Sequence, residues 1–289
     1  MKIFLNESTK HLGRSLKKTG VGIGRYQIST FADGERNYRI KEDIKGEAVA
    51  IIASVLPDPK SLFEIMVLHR LALENGAAEA FLIIPYLGYA RQDRPARPGE
   101  GSLGIMVVEL LQTMNPSRLV LIDLHSDRIR NALGPSGIEL SALPLFANVL
   151  EKSPPDVIVS PDAGFRSRAE ELSRLFNPQP GVAVIDKVRP HPNVAIARRL
   201  YGNVRGKDVL IVDDMIDTGG TLSEAVKLVS RDGARSIRIA ATHGIFSGNA
   251  RSRLSRLPVQ EIWITNTLPQ IRHPKIRILD IVPVLGKNL

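Results

Sequence analysis

The densest chemistry in this sequence lies in residues 209–223, VLIVDDMIDTGGTLS, where two adjacent carboxylates, Asp213 and Asp214, precede Asp217, Thr218, Gly219, Gly220 and Thr221. Glycines let a backbone approach a ligand closely, and the amides of a tight loop that opens a helix converge on one point, which suits a phosphate. Carboxylates beside such a cradle repel the phosphate unless something lies between them, and sugar hydroxyls or a magnesium ion are the natural candidates. The competing reading is a plain strand, turn and helix with Asp213 and Asp214 solvated and Asp217 a helix cap. Two consecutive acids ahead of Asp-Thr-Gly-Gly-Thr weigh against it.

Other groups stand at places where they could act. Residues 89–94, YARQDR, put Arg91, Gln92 and Arg94 after a buried apolar run, where arginines can grip phosphate oxygens or form only a solvated charge cluster. Lys187 and Arg189, in DKVRP at 186–190, read as a loop beside Pro190 and Pro192. Loop cations that close over a transferring group neutralise developing charge; most loop cations are simply solvated. Among six histidines, His125 in DLHS follows a strand end, and His243 in THGIFSG admits a structural role equally well. Two lookalikes of nucleotide motifs fail on context: GEGSLG at 99–104 follows a Pro/Arg-rich loop instead of a strand, and GNVRGKD at 202–208 leads into a strand.

The elements that position these residues alternate. Short apolar runs at 2–5, 48–53, 80–84 and 118–122 predict strands, and helical spacing predicts helices near 9–17, 60–73 and 105–114. Alternating segments at 26–30 and 36–40 flank FADGE at 31–35, which alone is an ordinary turn. The second half repeats the plan, with strands at 157–160, 182–185 and 209–212, a helix at 167–175, and further strands at 236–242, 261–265 and 275–278. This predicts a doubly wound α/β fold. The halves can be overlaid, Pro85 on Pro161, Gly88 on Gly164, Asp123 on Asp213 and Asp127 on Asp217, with an extra segment containing 186–190 in the second. The expectation is a duplicated domain, 1–143 and 144–289.

Composition bounds the function. Of 289 residues, 43% are hydrophobic and 24% charged, which describes a globular chain, and no apolar run approaches the roughly 20 residues of a membrane span. The start, MKIFLNESTKHLG, lacks the apolar core of a signal peptide, so a cytoplasmic location without membrane association is expected. The absence of cysteine excludes disulfides and thiol catalysis and leaves metal binding to carboxylates and histidines, which points to magnesium and not zinc. The net charge of +9 suggests nucleic acid, but the basic residues are dispersed and only 5% of residues are aromatic. Anionic phosphorylated substrates account for part of the excess, and no nucleic-acid partner is expected.

Residues 209–223 resemble the phosphoribosyl-diphosphate signature of phosphoribosyltransferases and ribose-phosphate diphosphokinases, and the remaining motifs are similar, in order, to those of the diphosphokinases. The resemblance implies two tandem phosphoribosyltransferase-type domains, each a largely parallel sheet flanked by helices. It also implies transfer of a diphosphoryl group from Mg-ATP to ribose 5-phosphate, for nucleotide biosynthesis. Asp213 and Asp214 would hold ribose hydroxyls and 217–221 the 5-phosphate. Arg91, Gln92, Arg94 and His125 would contact the nucleotide. Phe31 would stack on adenine, with Asp33 and Glu35 on its amino edge or the ribose, from a hairpin lent by a neighbouring subunit. His125 and Asp162 would be associated with magnesium, and Lys187 and Arg189 would be catalytic. The family's assembly implies a homo-oligomer, at least a dimer and often a hexamer. PARPGEGSLG at 95–104 departs from the usual regulatory segment, and Phe165 stands where the family has a small residue. A phosphoribosyltransferase would share 213–221 without needing FADGE or YARQDR. A non-catalytic associated subunit of the same fold would have lost key residues.

Overall fold

The computed structural model describes residues 1–188, 197–270 and 272–289. The chain forms two compact units, one of Met1–Ser141, Thr267–Pro269 and Asp280–Leu289, the other of Ala142–Asn266 and Gln270–Leu279. Among the described residues no helix is long and apolar enough to cross a membrane.

In the first unit a six-stranded sheet runs in the spatial order Gly22–Ile23, Lys2–Leu5, Ala48–Ile52, Glu79–Ile84, Arg118–Ile122 and Gly137–Leu140, and every pairing is parallel. The apolar runs follow from this arrangement. Strands covered on both faces have no polar side, and Val49, Ile51, Leu82, Ile84, Leu119 and Leu121 are all fully buried. Helix Pro59–Glu74 starts where Asp58 accepts the amide of Lys60 and a proline occupies the first turn; it buries Ile65, Leu68 and Ala72. Tyr26–Thr30 and Arg36–Ile40 form a separate antiparallel hairpin.

The second unit is a seven-stranded sheet in the order Ala197–Tyr201, Gly181–Val188, Val157–Ser160, Asp208–Ile216, Ser236–Gly244, Ile262–Thr265 and Ile276–Leu279. Only the edge strand Ala197–Tyr201 is antiparallel. Val209, Ile211, Ile237 and Ile239 pack under Val226 and Val229 of helix Gly220–Arg231.

The overlay of the two halves does not survive this topology. Numbered by chain order, the first sheet has the spatial order 2-1-3-4-5-6, and so does the second once its antiparallel edge strand is set aside. The counterpart of Asp208–Ile216 is therefore Ala48–Ile52, not Arg118–Ile122, and the counterpart of Val157–Ser160 is Lys2–Leu5, not Glu79–Ile84. Asp123 is not the equivalent of Asp213. Parallel strands of α/β units tend to end in tight turns rich in Gly, Pro and Asp, so short matches arise between strand ends that are not equivalent. Nor is the region around 186–190 an addition found only in the second unit. Each unit inserts antiparallel structure between its second and third sheet strands, the hairpin at 26–40 in one and, in the other, the strand Ala197–Tyr201 that pairs back on Gly181–Val188.

Candidate active site

In the second unit the spatial order reverses between Val157–Ser160 and Asp208–Ile216, so the loops that follow these strands leave in opposite directions and open a crevice at their carboxyl ends. Asp162 and the stretch from Asp213 to Thr221 all sit at that edge. Asp214 is 4% exposed and Asp213 is half-buried, and the Asp214 amide donates to Asp213 Oδ1 at 3.0 Å. Burial first, then the charge and hydrogen bond of Asp214 and the charge of Asp162, push the Asp213 carboxyl well above the usual carboxylate range. Such a group gains from any hydroxyl donor or cation placed against it. The donors are all carboxylate oxygens, so the set fits a hard cation such as magnesium, which keeps waters and phosphate oxygens as its other ligands. Among the described residues no group of three or more acidic or histidine side chains forms a ready-made metal cage.

Around the loop from 217 to 220 the carbonyls of residues 216, 218 and 219 are tied back. Ile216 O accepts the amides of Ile245 and Phe246 at 2.9 and 3.0 Å, and Gly219 O accepts the Ser223 amide at 2.9 Å and its hydroxyl at 2.7 Å. Thr218 O accepts from Arg253 Nη1 at 2.7 Å. Gly219 has φ +70°, a conformation glycine adopts freely, and it is the cap of helix Gly220–Arg231. Carbonyl oxygens, which repel an anion, are thus held away while the helix start lies open. Asp162 accepts the Phe165 amide at 3.0 Å through Oδ1, which sets the turn before helix Arg166–Arg174. His243 is buried at 2% exposure, and its backbone forms an isolated bridge with Asn266.

In the first unit, Glu79–Ile84 and Arg118–Ile122 are neighbours, so the loops carrying Arg91, Gln92 and Arg94 and carrying His125 emerge side by side. The first of these loops crosses the segment after Ala48–Ile52 at very close range: Gly88 donates to Val55 O at 2.8 Å, and the Val55 amide donates to Tyr86 O at 2.9 Å. Tyr89 then takes φ +64°, its carbonyl accepts the Gln92 amide at 2.8 Å, and Gln92 O accepts the Gly104 amide at 3.0 Å. The backbone is fixed while the side chains of Arg91, Gln92 and Arg94 are exposed. Gly104, part of the discounted GEGSLG, has a packing reason to be glycine, since a Cβ there would lie 2.9 Å from Tyr89 O. Exposed His125 follows buried Asp123, at φ +39°, and its loop is pinned where Leu124 N donates to Glu139 Oε1 at 2.9 Å. Arg130 also pairs with Glu139 and with Asp127. Phe31 stands at the tip of the hairpin, 58% exposed, where the Phe31 amide donates to Glu35 O at 2.8 Å and Asp33 Oδ1 accepts the Glu35 amide at 3.0 Å.

Lys187, expected on a loop, is on the strand Gly181–Val188, opposite Arg198. The apolar alternation of the strand runs into a charged segment, which hid its true end from a reading by hydrophobicity. Arg189 lies outside the described residues. Sequence reasoning missed Arg253, because nothing in helix Ala250–Ser255 marks it out; its link to residue 218 exists only in the folded chain.

Residues 1–114 match the model of the N-terminal domain of ribose phosphate pyrophosphokinase, and residues 144–267 match that of the phosphoribosyl transferase domain. A ribose-phosphate pyrophosphokinase of Corynebacterium ammoniagenes is 35% identical over all of this chain and 93% of its own length. One of Aquifex aeolicus is 34% identical over all of this chain and 94% of its own. The crystal structure of a phosphoribosylpyrophosphate synthetase from Mycobacterium smegmatis superposes with a TM-score of 0.89 at 31% identity, covering 99% of this chain and 96% of that one. Likeness of this extent spans both parallel-sheet units, and on it the chain belongs to the ribose-phosphate pyrophosphokinase family.

Proposed function

We propose that this enzyme transfers the β,γ-diphosphoryl group of Mg-ATP to the 1-hydroxyl of ribose 5-phosphate, giving phosphoribosyl diphosphate and AMP. The hydroxyl oxygen attacks the β-phosphorus in line, the bond from that phosphorus to the oxygen bridging to the α-phosphate breaks, AMP departs, and the hydroxyl proton is released. Such a reaction asks the protein for positioning and charge neutralisation more than for a covalent intermediate. The observation that supports the reading is the combination, in one chain, of the tied-back carbonyls at 216, 218 and 219 beside the aspartate pair with the fixed arginine loop at 88–94 of the first unit, which a phosphoribosyltransferase would not need.

In this reading Asp213 and Asp214 take the ribose hydroxyls and 217–221 the 5-phosphate. Arg91, Gln92, Arg94 and His125 bind the triphosphate side of ATP, while Phe31, Asp33 and Glu35 hold the adenosine end from a hairpin supplied by a second copy. His125 in the first unit and Asp162 in the second are each assigned to magnesium held through water and phosphate; the ion supplies charge neutralisation. Lys187 and Arg189 are assigned to the charge that develops on the transferred group. The parts assigned to ATP come from residues 1–143 and those assigned to ribose 5-phosphate from 144–289.

The purified protein with magnesium, ATP and ribose 5-phosphate should release AMP in equal amount to phosphoribosyl diphosphate, and release none when ribose 5-phosphate is omitted. A phosphoribosyltransferase would form no AMP under these conditions but would consume phosphoribosyl diphosphate with a base. An associated non-catalytic subunit would do neither.

A further inference from the structure

We infer that Arg253 is a positioning residue for the sugar-phosphate cradle: it locks the peptide between Thr218 and Gly219 so that the carbonyl faces away from the phosphate and the amide faces it. This rests on the assignment of the 5-phosphate to residues 217–221. A trans peptide carries its C=O and N–H on opposite sides, so holding Thr218 O on one side sends the Gly219 amide to the other. Arg253 Nη1 holds that oxygen at 2.7 Å.

Two features make the lock necessary. Gly219, at φ +70°, can adopt either sign of φ at little cost, so the adjoining peptide has no steric bar to flipping. The carbonyls on either side are secured from the backbone or the next helical turn, Ile216 O by two amides and Gly219 O by Ser223, whereas among the described residues Thr218 O is held by the arginine from another helix alone. A flipped 218–219 peptide would replace a donor by a repelling oxygen.

Helix Ala250–Ser255 is seated to place the side chain. Leu254 is fully buried, with Cδ2 3.4 Å from where a Cβ on Gly219 would lie, and Arg253 Nη1 is 3.4 Å from the equivalent point on Gly220. The guanidinium therefore lies along 218–220, and no carboxylate pairs with it among the described ion pairs. A cation here also adds attraction for the phosphate without needing to touch it.

The test compares Arg253→Ala and Arg253→Lys with the parent enzyme, reading KM for each substrate, kcat, and calorimetric binding of ribose 5-phosphate against ribose. A hydrogen bond to a charged group corresponds to a loss of about ten-fold or more in ribose 5-phosphate affinity for Arg253→Ala. The KM for ATP and the weak binding of ribose should stay as they were. Arg253→Lys, which keeps the charge and a donor on a different stem, should fall between the two. Unchanged ribose 5-phosphate affinity in a folded alanine variant overturns the inference, as does an equal loss for ATP or ribose, which would mark a merely structural residue. If Arg253→Ala does not fold, a lysine variant with parental ribose 5-phosphate affinity and altered ATP affinity overturns it equally. Failure of the parent enzyme to make AMP would instead sink the functional reading itself.

Discussion

Gly88→Ala isolates the link between packing in the first unit and the arginine loop. A Cβ at Gly88 would sit 2.6 Å from Val55 O and 3.2 Å from the Leu56 carbonyl carbon. Neither neighbour is a side-chain end that can swing aside. Val55 O already accepts the Gly88 amide at 2.8 Å, and the Val55 amide is bound to Tyr86 O at 2.9 Å, so relief requires breaking one of these bonds or moving a strand end. Forcing an extra methyl into a packed site costs about 1–3 kcal/mol, and the lower half of that range is closed here because the obstacle is backbone. At about 2–4 °C per kcal/mol for a unit of this size, the melting temperature should fall by several degrees. The displaced backbone carries Arg91 and Gln92, so the KM for ATP should rise while that for ribose 5-phosphate stays put. Gly101→Ala is the matched control: a Cβ there meets nothing within 4 Å, and both thermal scans and kinetics should equal the parent's. Gly164, beside Asp162, would meet only a carboxylate oxygen at 3.3 Å, so its alanine variant should be far milder than Gly88→Ala. Equal stability of Gly88→Ala and Gly101→Ala would refute the reasoning, and a rise in the KM for ribose 5-phosphate would refute the allocation of substrates.

Alanine at Lys187 or Arg189 should lower kcat by roughly 100-fold or more with little change in KM, the usual consequence of removing a placed charge donor; near-parental turnover in stopped AMP assays would send the search for the catalytic cations to Arg91 and Arg94. Phe31→Ala and Lys187→Ala, each expected to be impaired alone, should recover activity when co-expressed and mixed, because the hairpin of one copy would serve the site of another; no recovery, or a fully active monomer in sedimentation, rules out the shared site. Asp208 gives a pH signature: hydrogen bonding to Arg235, then to Ser236, lowers its carboxyl to about 2, below the unfolded value of about 3.9. Its stabilising contribution is complete above the unfolded value and is lost as pH falls through the folded one. Because Arg235 is 59% exposed, solvent screening keeps the pair's contribution small, so Arg235→Ala should destabilise slightly at neutral pH, by a margin that shrinks as pH falls toward about 2 and vanishes below it. A constant difference across acid titrations followed by circular dichroism would contradict it.

The strand, turn and helix that carry Asp213, Asp214 and Asp-Thr-Gly-Gly-Thr were legible because they are consecutive in the chain, and the residue types themselves limit what the backbone can do. The parallel α/β class was legible for a similar reason, since strands buried on both faces must be apolar throughout. The correspondence of the two halves was not. Turns after parallel strands resemble one another, and only hydrogen-bonded neighbours reveal that Ala48–Ile52, not Arg118–Ile122, matches Asp208–Ile216. Lys187 was misjudged for a related cause, because the antiparallel partner that keeps it in a strand begins ten residues later, at Ala197. Arg253 shows the division most clearly. Its sequence surroundings describe an ordinary surface helix, and its bond to Thr218 spans 35 positions. A carbonyl held by a distant side chain depends on packing between helices, which no spacing of residue types within one segment can encode.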